Sequence, residues 1–198
     1  MSYLPCELHC HTIHSDGDFT VSELQKAAAD DHLAIIALTD HNTFSGWDEL
    51  DDNIIPAIRG IEWTTYFGHM LVLGANDFVD WRDAQPDNID EKIKQVKAVG
   101  GIVGIAHPYQ LGSPLCTGGR WEFNVRDWRN VDYIEVWHQN LYSAKRENER
   151  ALELWTSLLD KGYKIAATYG RDWHREETSG RYGCTYVDVD DISAKAVM

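Results

Sequence analysis

Nine histidines stand in the 198 residues of the chain, and six of them fall at recurring kinds of position beside three carboxylates. His9 and His11 flank Cys10 in Glu7-Leu8-His9-Cys10-His11. On an extended strand residues i and i+2 point to one face, so both imidazoles reach one metal ion while Cys10 points away. Asp172-Trp173-His174 repeats that geometry near the other end. Between them lie Asp16 in Ser-Asp-Gly, His41 in Thr-Asp-His, Glu62 in Gly-Ile-Glu, His69 in Gly-His-Met, and His107 in Ala-His-Pro. Charged groups are almost never buried unless paired or metal-bound. Nine such groups therefore point to a site for several divalent ions. Imidazole nitrogen and carboxylate oxygen without thiolate suit Zn, Mn or Fe and do not choose among them.

The elements around these residues explain why they would converge. Apolar runs at Leu4–Cys10, Leu33–Thr39, Ile54–Trp63, His69–Gly74, Gly101–Ala106, Val131–Trp137 and Lys164–Tyr169 read as strands, with Arg181–Val189 as a final edge strand. Helical patterns lie between many of them. One opens on the capping box Thr20-Val21-Ser22-Glu23 and runs to about Asp31; others cover Asp87–Val99 and Tyr142–Leu159, the last followed by Gly162. Phe44–Leu50 reads as a short helix and Pro108–Gly119 as a long loop. Strand–helix alternation gives a mainly parallel sheet, here one α/β domain over residues 1–198, which suits a compact irregular barrel, with an open doubly wound sheet as the alternative. Nearly every candidate residue then sits where a strand ends, at the rim where catalytic groups of such barrels gather. His69 instead starts its strand, which is expected to run antiparallel and so bring it to the same rim.

Composition narrows the partners. The net charge is −14, with 43% hydrophobic residues. Such a chain has no long-range attraction for nucleic acid or anionic lipid. No run suits a transmembrane helix, and Met1–Cys10 lacks the parts of a signal peptide. Cys6, Cys10, Cys116 and Cys184 show no CxxC spacing, which reads as reduced thiols and a cytoplasmic protein. The oligomeric state is left open. His14 and His138 read as supporting or structural groups near the rim and His32 as a helix-end residue. Asp40 is expected to orient His41. Phe19, Trp47 and Trp63 read as core or pocket wall. Arg171, beside Asp172, and Arg120, beside the glycine-rich loop, are candidates to grip a phosphate bidentately.

Taken together, Glu7-Leu8-His9-Cys10-His11-Thr12, Ser15-Asp16-Gly17, Thr39-Asp40-His41-Asn42-Thr43, Gly60-Ile61-Glu62, Ala106-His107-Pro108 and Gly170-Arg171-Asp172-Trp173-His174 resemble the motifs of the PHP (polymerase and histidinol phosphatase) family. Gly60–Thr65 and Gly68–Gly74 most resemble its carbaryl-hydrolase-like branch. The resemblance implies a distorted, TIM-like (β/α)7 barrel with up to three divalent ions. One ion would take His9, His11, Glu62 and Asp172; a second would share Glu62 and take His69 and His107; a third would take Asp16, His41 and His174. Hydrolysis by a metal-activated hydroxide is then expected, with Asp16, His41, His174 and Arg171 as the catalytic groups. Three divalent ions against three carboxylates would leave the rim at about +3, an attraction for a small anionic substrate. A phosphoesterase acting on a small phosphorylated metabolite or nucleotide is the first expectation. A carboxylester or carbamate hydrolase comes second, favoured by Trp63, Tyr66, Phe67, Tyr109, Trp137 and Trp173 near the motifs. A non-catalytic metal-binding protein comes third.

Overall fold

The computed structural model describes residues 2–112, 118, 120–139, 144–176 and 182–198. Eight strands form one sheet: β1 (Ser2–Cys10), β2 (Ile35–Leu38), β3 (Ala57–Thr65), β4 (Gly68–Leu73), β5 (Ile102–Ile105), β6 (Tyr133–His138), β7 (Ala166–Gly170) and β8 (Thr185–Val189). Their order is β7-β6-β5-β4-β3-β2-β1-β8. Pairs β1/β2, β2/β3, β5/β6 and β6/β7 are parallel. β4 runs antiparallel to both its neighbours, as expected from the position of His69, and β8 runs antiparallel to β1.

The sheet curls until it almost closes. The first part of β1, Ser2 to Cys6, pairs with β8. Beyond that, β1 meets the segment after β7: Trp173 N–H donates to His9 O at 3.0 Å and His11 N–H to Trp173 O at 2.9 Å. Both ends of the sheet therefore meet on β1, and the result is a TIM-like barrel of mostly parallel strands.

Among the described residues four helices accompany the strands: α1 (Val21–Asp30), α2 (Ile89–Ala98), α3 (Lys145–Asp160) and a short α4 (Ala194–Val197) that the sequence pattern does not announce. α1 starts as expected. Thr20 Oγ1 accepts from Glu23 N–H while the Glu23 carboxylate accepts from Thr20 N–H. After it, His32 takes a left-handed φ of 60°, and Gly162 takes 86° just past α3. The short helix expected at Phe44–Leu50 is a single 3-10 turn at Trp47–Glu49. Most of the expected loop at 113–119, Cys116 included, lies outside the described residues, as does Arg181. Among the described residues no helix is long and apolar enough to cross a membrane.

Side chains sort by strand alternation. Ile58, Leu71, Leu73, Ala106 and Tyr133 form a cluster with Ile35 and Ala37 inside the barrel. Ile61, Trp63, Met70, Val72, Val103, Ile105 and Ile134 form another, with Ile89, Ile93 and Val96 of α2 and Leu158 of α3. Two strands break the alternation. The β1–β2 register slips between Glu7 and Cys10, and that of β6–β7 slips between Glu135 and Trp137. Such bulges re-aim the side chains beyond them. Cys6 accordingly packs with the inner cluster, whereas Cys10, four residues on, packs against α1 with Phe19, Val21 and Leu24. His9 and His11 turn inward as a result.

Candidate metal centre

The apolar filling gives way to imidazoles and carboxylates at the C-terminal ends of the strands. His9, His11 and Glu62 are fully buried. Glu62 is the hub. Its Oε2 lies 3.3 Å from His9 Nε2, 3.5 Å from His11 Nε2 and 2.8 Å from His41 Nδ1. Its Oε1 lies 2.9 Å from His69 Nδ1 and 3.2 Å from His107 Nε2. Asp172 Oδ1 lies 2.9 Å from His11 Nε2 and 3.3 Å from His9 Nε2. At the outer side, Asp16 Oδ1 is 3.1 Å from His174 Nε2 and 3.4 Å from His41 Nε2. All nine residues expected from the sequence are thus brought together. They form three overlapping groups of potential ligand atoms: His9, His11, Glu62 and Asp172; Glu62, His69 and His107; and His11, Asp16, His41 and His174.

A cation fits this donor set. His9 Nε2, both ring nitrogens of His11, Glu62 Oε2 and Asp172 Oδ1 are buried and make no hydrogen bond. Buried polar atoms without partners are costly. These converge on one another, so one positive ion would satisfy several at once. Two of the outward nitrogens are already tied down, as is usual in metal-binding histidines. His9 Nδ1 lies 2.8 Å from Glu135 Oε1, and His174 Nδ1 donates to Asp172 O at 2.8 Å. Each bond leaves Nε2 aimed into the cluster.

The electrostatics follow from crowding. Burial alone would raise the Glu62 carboxyl, but His9, His69 and His41 facing it hold it well below the usual carboxylate range. Asp172 is likewise held low, by His9 and His11 against its burial. Burial pushes His11 down to about 4, which leaves a neutral ring able to ligate.

Several residues stand differently from their expectation. Arg171 is no phosphate clamp: its buried guanidinium bonds Asp31 Oδ2 at 2.8 Å and stacks 3.5 Å from the Trp173 ring and 4.3 Å from the Tyr182 ring. A guanidinium so committed is not available to substrate. Asp40 does not orient His41. It accepts from Thr12 N–H, Thr12 Oγ1 and Ser15 Oγ, all within 2.8 Å, and so clamps the loop that carries Asp16. Arg120 is exposed. His14 bridges Ser45 and Glu49 on the surface.

Three groups escape a motif reading. Glu135 is buried inside the barrel, where it meets His9 and accepts from His107 N–H at 2.9 Å. Glu7 accepts from His9 N–H and Arg171 N–H, and burial, with the nearby Glu135 charge, pushes its carboxyl up to about 8. His138 approaches Asp172. Only a buried acid on a strand next to metal-type histidines could have signalled Glu7 and Glu135.

Comparison with known proteins agrees with this picture. The PHP domain family model matches residues 7–102. An uncharacterized protein of Methanocaldococcus jannaschii is 28% identical over 109 residues, 55% of this chain and 48% of that protein. A second from the same organism is 29% identical over 153 residues, 69% of this chain and 85% of that protein. The chain thus spans about half the length of the first of these relatives. In fold it is similar to a two-domain protein of Bacteroides vulgatus containing a predicted PHP-like metal-dependent phosphoesterase (TM-score 0.71, 19% identity, 99% of this chain and 61% of that one). It is also similar to an amidohydrolase of Chromobacterium violaceum with bound sulfate and no metal (TM-score 0.59, 17% identity, 96% of this chain and 93% of that one). The PHP domain family model thus matches just under half of the chain, and the solved structures share its barrel fold.

Proposed function

We propose that the chain is a metal-dependent hydrolase, acting as a phosphoesterase on a small phosphorylated metabolite or nucleotide. The observation that carries this reading is the convergence of buried, unpartnered His9, His11, Glu62 and Asp172 atoms on common points. His9, His11, Glu62 and Asp172 would hold one divalent ion (Zn, Mn or Fe), Glu62, His69 and His107 a second, and Asp16, His41 and His174 a third. Bound there, such ions supply Lewis acidity and a water of lowered pKa.

The chain's own groups divide the remaining work. Glu62 presents one oxygen to each side of the cluster and so suits a shared ligand. Asp16 is 61% exposed, and His41 and His174 about one-fifth, so substrate would enter on their side. His41 or His174 would hand a proton to a leaving group there only where it is not committed to the third ion. Arg171, engaged by Asp31, is not given a part.

The phosphoester reading gains support from the fold relative described as a predicted phosphoesterase and from the relative that holds a sulfate, a tetrahedral dianion. The carboxylester or carbamate alternative, tied to the carbaryl-hydrolase-like branch, loses ground because Trp63 and Trp173 are buried in the core. Unpaired Cys6, Cys10 and Cys184 support a reducing, cytoplasmic setting, and residues 1–198 are read as one working unit.

The test compares p-nitrophenyl phosphate and p-nitrophenyl acetate turnover by Mn-loaded protein, with metal-stripped protein as blank. Metal-dependent phosphate release with little acetate cleavage is expected. Dominant acetate cleavage would move the assignment to carboxylester chemistry, and no turnover of either at full metal content would overturn the hydrolase reading.

A further inference from the structure

His138 lies outside the nine expected ligands, yet it is 3% exposed and points into the rim. It gets there through the bulge in β6. Tyr133 and Glu135 face inward, and simple alternation would send Trp137 in after them. The register slip between Glu135 and Trp137 instead leaves Trp137 38% exposed and turns His138 inward. The strand end is then fixed from α3. Asn148, itself buried, accepts from His138 N–H at 3.0 Å and donates to His138 O at 3.0 Å.

The ring spans two other loops. Its Nε2 lies 3.2 Å from Asp172 Oδ2, and its Nδ1 lies 2.8 Å from Gln110 Oε1. An ionised carboxylate only accepts, so the Asp172 contact needs hydrogen on Nε2. Nδ1 of that neutral tautomer is an acceptor, which the Gln110 NH2 meets when the amide is turned half round about its last bond. With its NH2 so turned, Gln110 favours the tautomer that donates to Asp172. Asp172 needs such a hold. Its backbone sits at φ 50°, a conformation costly outside glycine. With Oδ2 held by His138, Oδ1 is turned toward His9 and His11.

We infer that His138 is a positioning residue for Asp172, fixing which carboxylate oxygen faces the first metal position. The inference rests on the metal reading above. It is tested by chelator competition for Mn or Zn and by metal analysis, on wild-type, His138→Phe, His138→Gln and Gln110→Leu proteins, with thermal unfolding of the metal-free forms as a check on the fold.

His138→Phe is expected to bind the metal about 10- to 100-fold more weakly, the usual size for loss of such an outer partner. His138→Gln, whose amide can still donate to Oδ2, is expected to recover most of that loss. Gln110→Leu is expected to lose less than His138→Phe, and it keeps the inference open to refutation if His138→Phe does not fold. Wild-type affinity in His138→Phe, or in Gln110→Leu if that variant must decide, overturns the inference. So does a Gln variant as weak as Phe with one metal equivalent gone, which would make His138 a direct ligand. A wild-type protein that takes up no metal overturns the hydrolase reading itself, a separate and recognisable failure.

Discussion

Replacing Asp172 by alanine removes an oxygen that faces both His9 and His11. Hydrolysis is expected to fall to the metal-free background and metal content to drop, as read by elemental analysis; a fully loaded, active Asp172→Ala protein would contradict the site. Glu135→Leu tests a different point. It leaves the nine expected ligands in place but takes the partner from His9 Nδ1 and from the His107 N–H. About a 10- to 100-fold loss of metal affinity is expected, with Glu135→Gln intermediate. At this scale the sequence was highly informative where chemistry forces residue type and spacing, as at His9-x-His11 and Asp172-x-His174. It was silent on Glu135, because a lone acid on a strand looks like any solvent-facing residue until the barrel is built, and it gave Glu7 no role although that residue heads the first motif. It misled on Arg171, since adjacency to Asp172 says nothing about where a long side chain goes. Its guanidinium finds Asp31, 140 residues away in the chain.

Among the elements, the cap on α1 and the bulges have separable effects. Thr20→Ala deletes one half of the capping box and is expected to cost about 1 kcal/mol in urea unfolding. Metal content should not change, because α1 carries none of the nine. Gly170→Ala should do the reverse. A Cβ there would run into the Glu135 carboxylate, displacing the partner of His9. A loss of metal affinity larger than any loss of stability is expected, measured by the same chelator competition and melting curves. The strands were legible from their apolar runs, and the antiparallel turn of β4 from the single histidine at its start. The bulges in β1 and β6 were not, since a register slip depends on the neighbouring strand rather than on local pattern. Nor was the reduction of Phe44–Leu50 to one 3-10 turn, where Trp47 is drawn off to donate to Gly60 O at 2.8 Å.

For the molecule as a whole, a cluster of buried ligands without partners predicts linkage between metal and stability. Ions that bind only the folded chain stabilise it, by roughly 2.7 kcal/mol at a free concentration one hundred times the dissociation constant. Chelator should therefore lower the melting temperature of loaded protein, and added Mn or Zn should restore it. Identical melting curves with and without metal would argue that the rim holds none. Sequence arithmetic bears on the same point: a −14 chain would need a local source of positive charge to draw an anion.

The meeting of both sheet ends on β1 has one more consequence, and it concerns time. The backbone bonds that close the barrel run between His9 or His11 and Trp173, so the last contact of the sheet and the first coordination sphere are assembled in one event. Glu7 and Arg171, which also meet there, are separated by 164 positions along the chain. Closing so long a loop is slow, because its entropy must be given up before any contact rewards it. Until the segment around Asp172 docks, His9 and His11 lack the Asp172 oxygen that faces them both. Completion of the His9, His11, Glu62 and Asp172 group would thereby coincide with barrel closure, and the rate at which refolding protein takes up metal there would report that closure.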